Sequence, residues 1–435
     1  MPPATSRRRI SSLTTRLAKL YRPAALVVLA FGTLLTLRGD KSRAETISLQ
    51  GPSATIPATY FGMHAHRLVQ GTPWPTVSFG VLRLWDTGTT WSDLEPQKNE
   101  WRFNKLDRLV LLAAEHQTEV LLCFGKTPQW ASSITSSEAI DDSDKQFQTG
   151  APANLDDWRT FVTTLASRYK GKIKAYEVWN EPSARNFYQG DVGTMVQMTR
   201  IASETIHSVD PGAIVVSPSA TGTNGLRWLD QFLAQGGGHY VDVIGYHLYV
   251  TPEAPEQIPP LAAAVKSLLQ RYNVALPLWN TETGWSSPKT FPADSYEASA
   301  YVARSYLLTW AAGVSRFYWY AWDNRDWCTL YLTTNDNHAN LNADAYATVE
   351  SWMVGNKLDL CSNDANHTWT CHLSGEAGDM YIFWNPDHQR SYRLPGNVNK
   401  GREWQLVDLY GKVSPAGEGT LIADQQPRLL RQTKH

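Results

Sequence analysis

The sequence predicts an α/β chain: a (β/α)8 TIM barrel followed by a C-terminal antiparallel β domain. Three observations carry that expectation. Short apolar runs alternate with longer amphipathic segments, which implies a parallel sheet. Eight such runs fall within roughly 260 residues, the size of a closed barrel. From about residue 357 the pattern changes to short strand-like runs between Gly, Pro and Asn turns. A doubly wound open sheet is the alternative, but no Gly-rich phosphate loop follows the first strand.

The eight runs are "YFGMHAH" (60–66), "VLRLW" (81–85), "TEVLLCFG" (118–125), "IKAYEVWN" (173–180), "AIVVSPSA" (213–220), "VDVIGYHLY" (241–249), "LPLWNTET" (276–283) and "RFYWYAWD" (316–323). Helical patterns such as "LDDWRTFVTTLASRY" (155–169) and "YEASAYVARSYLLTWAAG" (296–313) lie between most of them. The stretch 131–154, rich in Ser, Asp and Gln, reads as a long loop after strand three, on the face where barrel loops build a site. Beyond it, "DMYIFWN", "SYRLP", "EWQLVDLYG" and "GTLIADQ" read as the strands of the second domain. The expected boundaries are 1–44 for a leader, 45–356 for the barrel and 357–435 for the β domain.

The leader combines Arg7, Arg8, Arg9, Arg16, Lys19 and Arg22 with the apolar stretch 24–37, "AALVVLAFGTLLTL". That stretch is short for a membrane span and fits a signal peptide, with Ser42-Arg43-Ala44 as a small-x-small cleavage site. An uncleaved N-terminal membrane anchor is the alternative; in both cases the bulk of the chain is expected to be exported. Cysteine usage agrees. Cys361 and Cys371 flank "SNDANHTWT" at a spacing suited to a hairpin staple, Cys123 is expected to be an inert buried thiol, and Cys328 is left undecided. Asn366-His367-Thr368 matches the glycosylation acceptor pattern.

A formal net charge of -1 over 435 residues gives no electrostatic case for nucleic acid or an acidic membrane surface. No CxxC pair or His/Cys cluster suggests a metal, no cofactor is expected, and no protein partner is implied. Eighteen Trp and nineteen Tyr are an excess that can simply be core, but flat aromatic faces also stack on sugar rings, which mildly favours a carbohydrate ligand.

In a barrel the carboxyl ends of the strands face one site. Those ends carry His64 and His66 on strand one, Arg83, Trp85 and Asp86 on strand two, Asn180 and Glu181 on strand four, His247 and Tyr249 on strand six, Glu282 on strand seven, and Trp322 and Asp323 on strand eight. Glu181 ends an apolar run and is followed by Pro182, so it either caps the next helix or does chemistry. Paired with Glu282 three strands away, the chemical reading prevails. Two facing carboxyls suit glycoside hydrolysis, one donating a proton to the leaving oxygen and the other attacking the anomeric carbon. A nearby arginine keeps the attacking group ionised, so Arg83 is expected to brace Glu282. Asn180 can meet the 2-hydroxyl of the sugar. Of His64 and His66 at most one is expected to point into the site, and His64 is the choice. Glu177 is read as structural, and Trp130 as either core or sugar platform.

The blocks "TPQWAS", "YEVWNEPS", "VVSPSA" and "YWYAWDN", with a glutamate ending strand seven, resemble clan A retaining glycoside hydrolases, most of all family 39. The resemblance spans about residues 57–355. It implies Glu181 as acid/base, Glu282 as nucleophile and Asn180 as the 2-hydroxyl partner, with His247 and Tyr249 lining the subsite and Trp322 as its floor. The expected activity is a retaining hydrolase of β-glycosidic bonds in an oligo- or polysaccharide. A carbohydrate-binding pseudoenzyme and a transglycosylase are the rivals.

Overall fold

The structure is a computed structural model that describes residues 46–134, 146–285, 295–323, 328–393, 403–416 and 420–433. The leader expected at 1–44 and residues 135–145 of the long loop expected at 131–154 lie outside the described residues.

Eight parallel strands form the barrel: β1 (Phe61–Met63), β2 (Val81–Leu84), β3 (Glu119–Cys123), β4 (Ala175–Glu177), β5 (Ile214–Val216), β6 (Ile244–His247), β7 (Leu278–Thr283) and β8 (Arg316–Trp319). Pairing runs in sequence order from β1 to β5, and β8 pairs with both β1 and β7. The fifth strand is split. Pro218 has no N–H to give the ladder, and the strand resumes at Ala220–Thr221, which pairs with β6. A parallel bridge from Val216 to Val243 closes the ring.

The helices follow from capping and periodicity. In α2 (Leu155–Arg168), Asn154 caps the start by accepting from the Asp156 N–H, and Trp158, Phe161, Val162 and Leu165 recur on one buried face. Each large apolar side chain so buried contributes about 1.5–3 kcal/mol. The other barrel helices are α1 (Asn104–Glu115), α3 (Val192–Val209), α4 (Gly222–Ala234), α5 (Ile258–Arg271), α6 (Tyr296–Ala311) and α7 (Leu341–Met353). Among the described residues no helix joins β1 to β2. That connection carries Gly71, Pro73 and Pro75, which break a helical pattern.

Inward-facing positions come in layers two residues apart. Val81, Leu121, Ala175, Val216, Val243, Trp279 and Tyr318 form a closed apolar plug. Two residues farther along their strands stand Arg83, Cys123, Glu177, Thr281 and Tyr320, so the same alternation that fills the barrel lifts polar groups to its mouth.

The second sheet is antiparallel. It orders as Ser48–Leu49, β9 (Lys357–Asn363), β10 (Trp369–Gly375), β11 (Gly378–Trp384), β16 (Arg428–Gln432), β13 (Trp404–Val407) and β14 (Val413–Pro415). A separate pair joins β12 (Arg390–Tyr392) to β15 (Leu421–Ala423). The short strand Ser48–Leu49, ahead of the barrel in sequence, therefore belongs to this sheet. Cys361 and Cys371 face each other across β9 and β10 and are bonded, while Cys123 and Cys328 are free and buried. The sheet meets the barrel through Trp384, whose indole N–H donates to Glu256 at 2.9 Å, and Glu256 also lies 3.3 Å from the buried Arg304 guanidinium.

Candidate active site

Arg83, fully buried on β2, organises the barrel mouth. Its Nε donates to Glu177 at 2.6 Å, Nη1 to Glu282 at 2.7 Å and Nη2 to the Asn180 side-chain oxygen at 2.8 Å. The guanidinium is a rigid fork of five donors, so one residue can fix three strands at once. Its charge, together with that of His247 3.8 Å away, outweighs the effect of burial on Glu177 and holds that carboxyl down at about 2.

Glu282, at the end of β7, accepts from Arg83 through Oε2 and from the Tyr249 hydroxyl through Oε1 at 3.0 Å. Glu181 follows β4 at φ 44, a left-handed backbone that is uncommon for a non-glycine residue and tends to mark functional sites. Its N–H donates to Ser219 O at 2.9 Å, and its Oε1 lies 2.8 Å from His247 Nδ1. Glu181 does not cap the next helix: α3 starts at Val192 and is capped by Asp191. Oxygens of Glu181 and Glu282 and a ring nitrogen of His247 all converge within 4.8 Å. A cation could bridge that triad, but a guanidinium 2.7 Å from Glu282 already supplies positive charge there.

His247 sits among three carboxylates. Burial works against its charged form, but the attraction of Glu282, of Glu177 at 3.8 Å and of Glu181, which is hydrogen-bonded to it, pushes its pKa up to about 9. It is therefore an imidazolium at neutral pH. Burial raises Glu181, but the hydrogen bond and charge of His247 bring it below the usual carboxylate range. Burial pushes Glu282 up, with His247 and Arg83 pulling it back. Taken alone, these directions would make Glu282 the protonated partner. The contacts argue otherwise: a protonated Glu282 would forfeit a charge-assisted bond to a buried guanidinium. We take Glu282 as ionised, with one proton shared along the His247–Glu181 hydrogen bond.

The cavity above these groups has a volume of about 650 Å³, within the range of about 300–1,000 Å³ usual for small-molecule sites. Glu181, Glu282 and Tyr249 line it, with Trp85, Asp86, Phe187, Thr221, Thr251, Tyr320 and Cys328. Of the residues expected from sequence, Arg83, Asn180 and His247 lie directly beneath, Arg83 bonded to Asn180 and Glu282, and His247 to Glu181. The Asn180 side-chain N–H groups are buried without a partner among the described residues, leaving donors for a ligand.

The other three expected residues, His64, Trp130 and Trp322, neither line the cavity nor bond to the two glutamates. His64 is fully buried behind Tyr320, their rings 5.0 Å apart, with Nε2 3.1 Å from Thr281 O. His66 also lies 5.0 Å from Tyr320, on the same side, as a period of two requires of residues i and i+2. Trp322 lies in the main core, 1% exposed; β8 ends at Trp319, and Tyr320 is the aromatic that reaches the cavity, two residues beyond the inward-facing Tyr318. Trp130 belongs to the barrel wall, its indole N–H donating to Glu95 O at 2.9 Å and its ring edge-on to Trp91. Sequence reasoning passed over Tyr320 and Phe187. Trp85 and Asp86 stood at a strand end but were not carried into the candidate site.

Comparison with known proteins follows the same lines. Residues 147–345 match the family model described as the glycosyl hydrolase catalytic core, and residues 85–201 match glycosyl hydrolase family 10. Endo-1,4-beta-xylanase 2 of Claviceps purpurea is 33% identical over 126 residues, which make up 27% of this chain and only 35% of that protein. The fold resembles a family 39 glycoside hydrolase from Bacteroides cellulosilyticus, with a TM-score of 0.67 at 18% identity, covering 87% of this chain and 81% of that one. It also resembles a family 39 β-xylosidase from Caulobacter crescentus, with a TM-score of 0.60 at 15% identity, covering 88% and 98%. Part of this chain thus matches the catalytic core of glycosyl hydrolases, a clan A type of match, and its fold is shared with family 39 enzymes.

Proposed function

We propose that the protein hydrolyses β-glycosidic bonds of an oligo- or polysaccharide with retention of configuration, through a covalent glycosyl-enzyme. The observation that carries this reading is the approach of Glu181 and Glu282 oxygens to within 4.8 Å of each other. Retaining enzymes hold their carboxyls about 5–5.5 Å apart, whereas inverting ones leave about 6.5–9.5 Å for a water. The relatives support the bond type, since their names describe a xylanase and a β-xylosidase.

In this reading Glu282 attacks the anomeric carbon while Glu181 protonates the departing oxygen. The proton comes from the His247–Glu181 hydrogen bond, and His247 can restore it. Arg83 and Tyr249 hold the Glu282 carboxylate and orient its attacking lone pair. The Asn180 N–H groups meet the 2-hydroxyl, a contact that strengthens in the transition state. Glu181, then ionised, takes the proton of the water that releases the sugar. We also infer export, supported by the basic-then-apolar leader and by the Cys361–Cys371 bridge, which suits an oxidising compartment.

Proton NMR of the first-formed product from an aryl β-glycoside tests the mechanism. A β-anomer appearing first agrees with retention; an α-anomer overturns it.

A further inference from the structure

Asp86 lines the cavity beside Glu282 and Tyr320 but has no part in the chemistry above. It adopts φ 58, a left-handed conformation in which Asp and Asn are several-fold enriched among non-glycine residues. Its Oδ2 accepts from the Tyr320 hydroxyl at 2.9 Å. Its Oδ1 lies 3.6 Å from Lys126 Nζ, and that ammonium sits 5.0 Å over the Trp85 ring. The carboxylate is thus anchored on one side by a phenol and an ammonium. Two carboxylate oxygens offer about four acceptor positions, so acceptor capacity remains on a carboxylate that lines the cavity.

We propose that Asp86 determines specificity by accepting hydrogen bonds from hydroxyls of the sugar beside Tyr320, so that the site takes neutral hydroxyl-bearing glycosides and rejects uronic acids. The proposal rests on the glycosidase reading and names its substrate class. A carboxylate acceptor gives hydrogen bonds about twice as strong as a neutral one. The same charge repels an anionic ring. Glu177, Glu181, Glu282 and Asp86 stand against Arg83, Lys126 and a protonated His247, an excess of negative charge before any substrate arrives. Lys126 could attract a uronate, but it is not among the lining residues, and its ammonium lies against Asp86 and Trp85.

The test uses the full chain and matched aryl β-glucosides, β-xylosides and β-glucuronides of mono- and oligosaccharides, with Asp86→Asn and Lys126→Met. Asparagine keeps the shape, tolerates the left-handed backbone and still accepts from Tyr320, so the variant should melt with the parent protein. The parent should favour neutral substrates over the glucuronide. Asp86→Asn should lose roughly 10–100-fold in kcat/KM on neutral substrates and narrow the neutral-to-uronide ratio at least about tenfold. Removing one ring hydroxyl, in 3-deoxy or 4-deoxy substrates, should cost the parent much more than Asp86→Asn. An unchanged ratio in Asp86→Asn overturns the proposal. So does a preference for the glucuronide that Lys126→Met abolishes, which makes Lys126 the selector. A parent protein that cleaves no β-glycoside removes the glycosidase reading itself, a result distinct from either.

Discussion

Arg83 and Glu282 are joined at 2.7 Å across the barrel mouth, the arginine fully buried and the glutamate side chain 8% exposed. The same guanidinium grips Glu177 and Asn180, so it is both an electrostatic support and a mechanical brace. Arg83→Met should destabilise the chain by about 3–5 kcal/mol, because it strands buried carboxylates. Arg83→Lys keeps the charge but loses the fork. It should cost less stability in chemical denaturation yet still lower kcat on the order of 10²-fold, as loss of a preorganised donor does. An Arg83→Lys protein that matches the parent in kcat and stability would mean that charge alone matters, and equal effects of the two variants would mean that the retained charge contributes nothing.

His247 sets the alkaline side of the activity. Its pKa is raised to about 9, so the proton shared with Glu181 leaves only as pH rises through that value. The alkaline limb of kcat/KM should fall near 9. His247→Asn should move it toward about 6–7, the range of a buried glutamic acid acting alone. The sign for stability is the same. A group whose folded pKa is raised contributes fully below its unfolded value of 6.5 and loses that contribution as pH rises through about 9. A limb that does not move in the variant would detach His247 from the acid.

The strands were legible because buried parallel strands are continuous apolar runs, and Glu181 and Glu282 were legible because each ends such a run. The rest depended on direction, which a run does not encode. His64 and Trp322 have the right residue types at the right end of the barrel, yet His64 sits behind Tyr320 and Trp322 turns into the core. A strict count of two from the plug residue Tyr318 would have picked Tyr320. Phe187 and Thr251 come from loops, where no period applies.

Gly284 holds the cavity floor in place. A Cβ there would collide with the Tyr320 carbonyl oxygen and meet Cys328 Sγ at 3.1 Å. Gly284→Ala should cost about 1–3 kcal/mol by overpacking and lower kcat/KM through displacement of Tyr320. Gly212→Ala, where the nearest atom is 3.8 Å away, is the control and should change neither. Thermal melts and aryl-glycoside kinetics on both variants decide the matter.

The division of labour between the two glutamates is the central claim, and trapping the intermediate tests it most directly. Glu282→Ala removes the attacking atom, so turnover of every substrate should vanish whatever its leaving group. Glu181→Ala removes only proton transfer, worth about 10²–10⁴-fold on unactivated substrates. A dinitrophenyl β-glycoside needs little protonation, so Glu181→Ala should still be glycosylated by it and accumulate the adduct. Mass spectrometry of Glu181→Ala should then find a glycosyl group on Glu282, and added azide should release it as a β-glycosyl azide. An adduct on another residue, an α-glycosyl azide, or identical behaviour of the two variants on both substrate types would contradict the account.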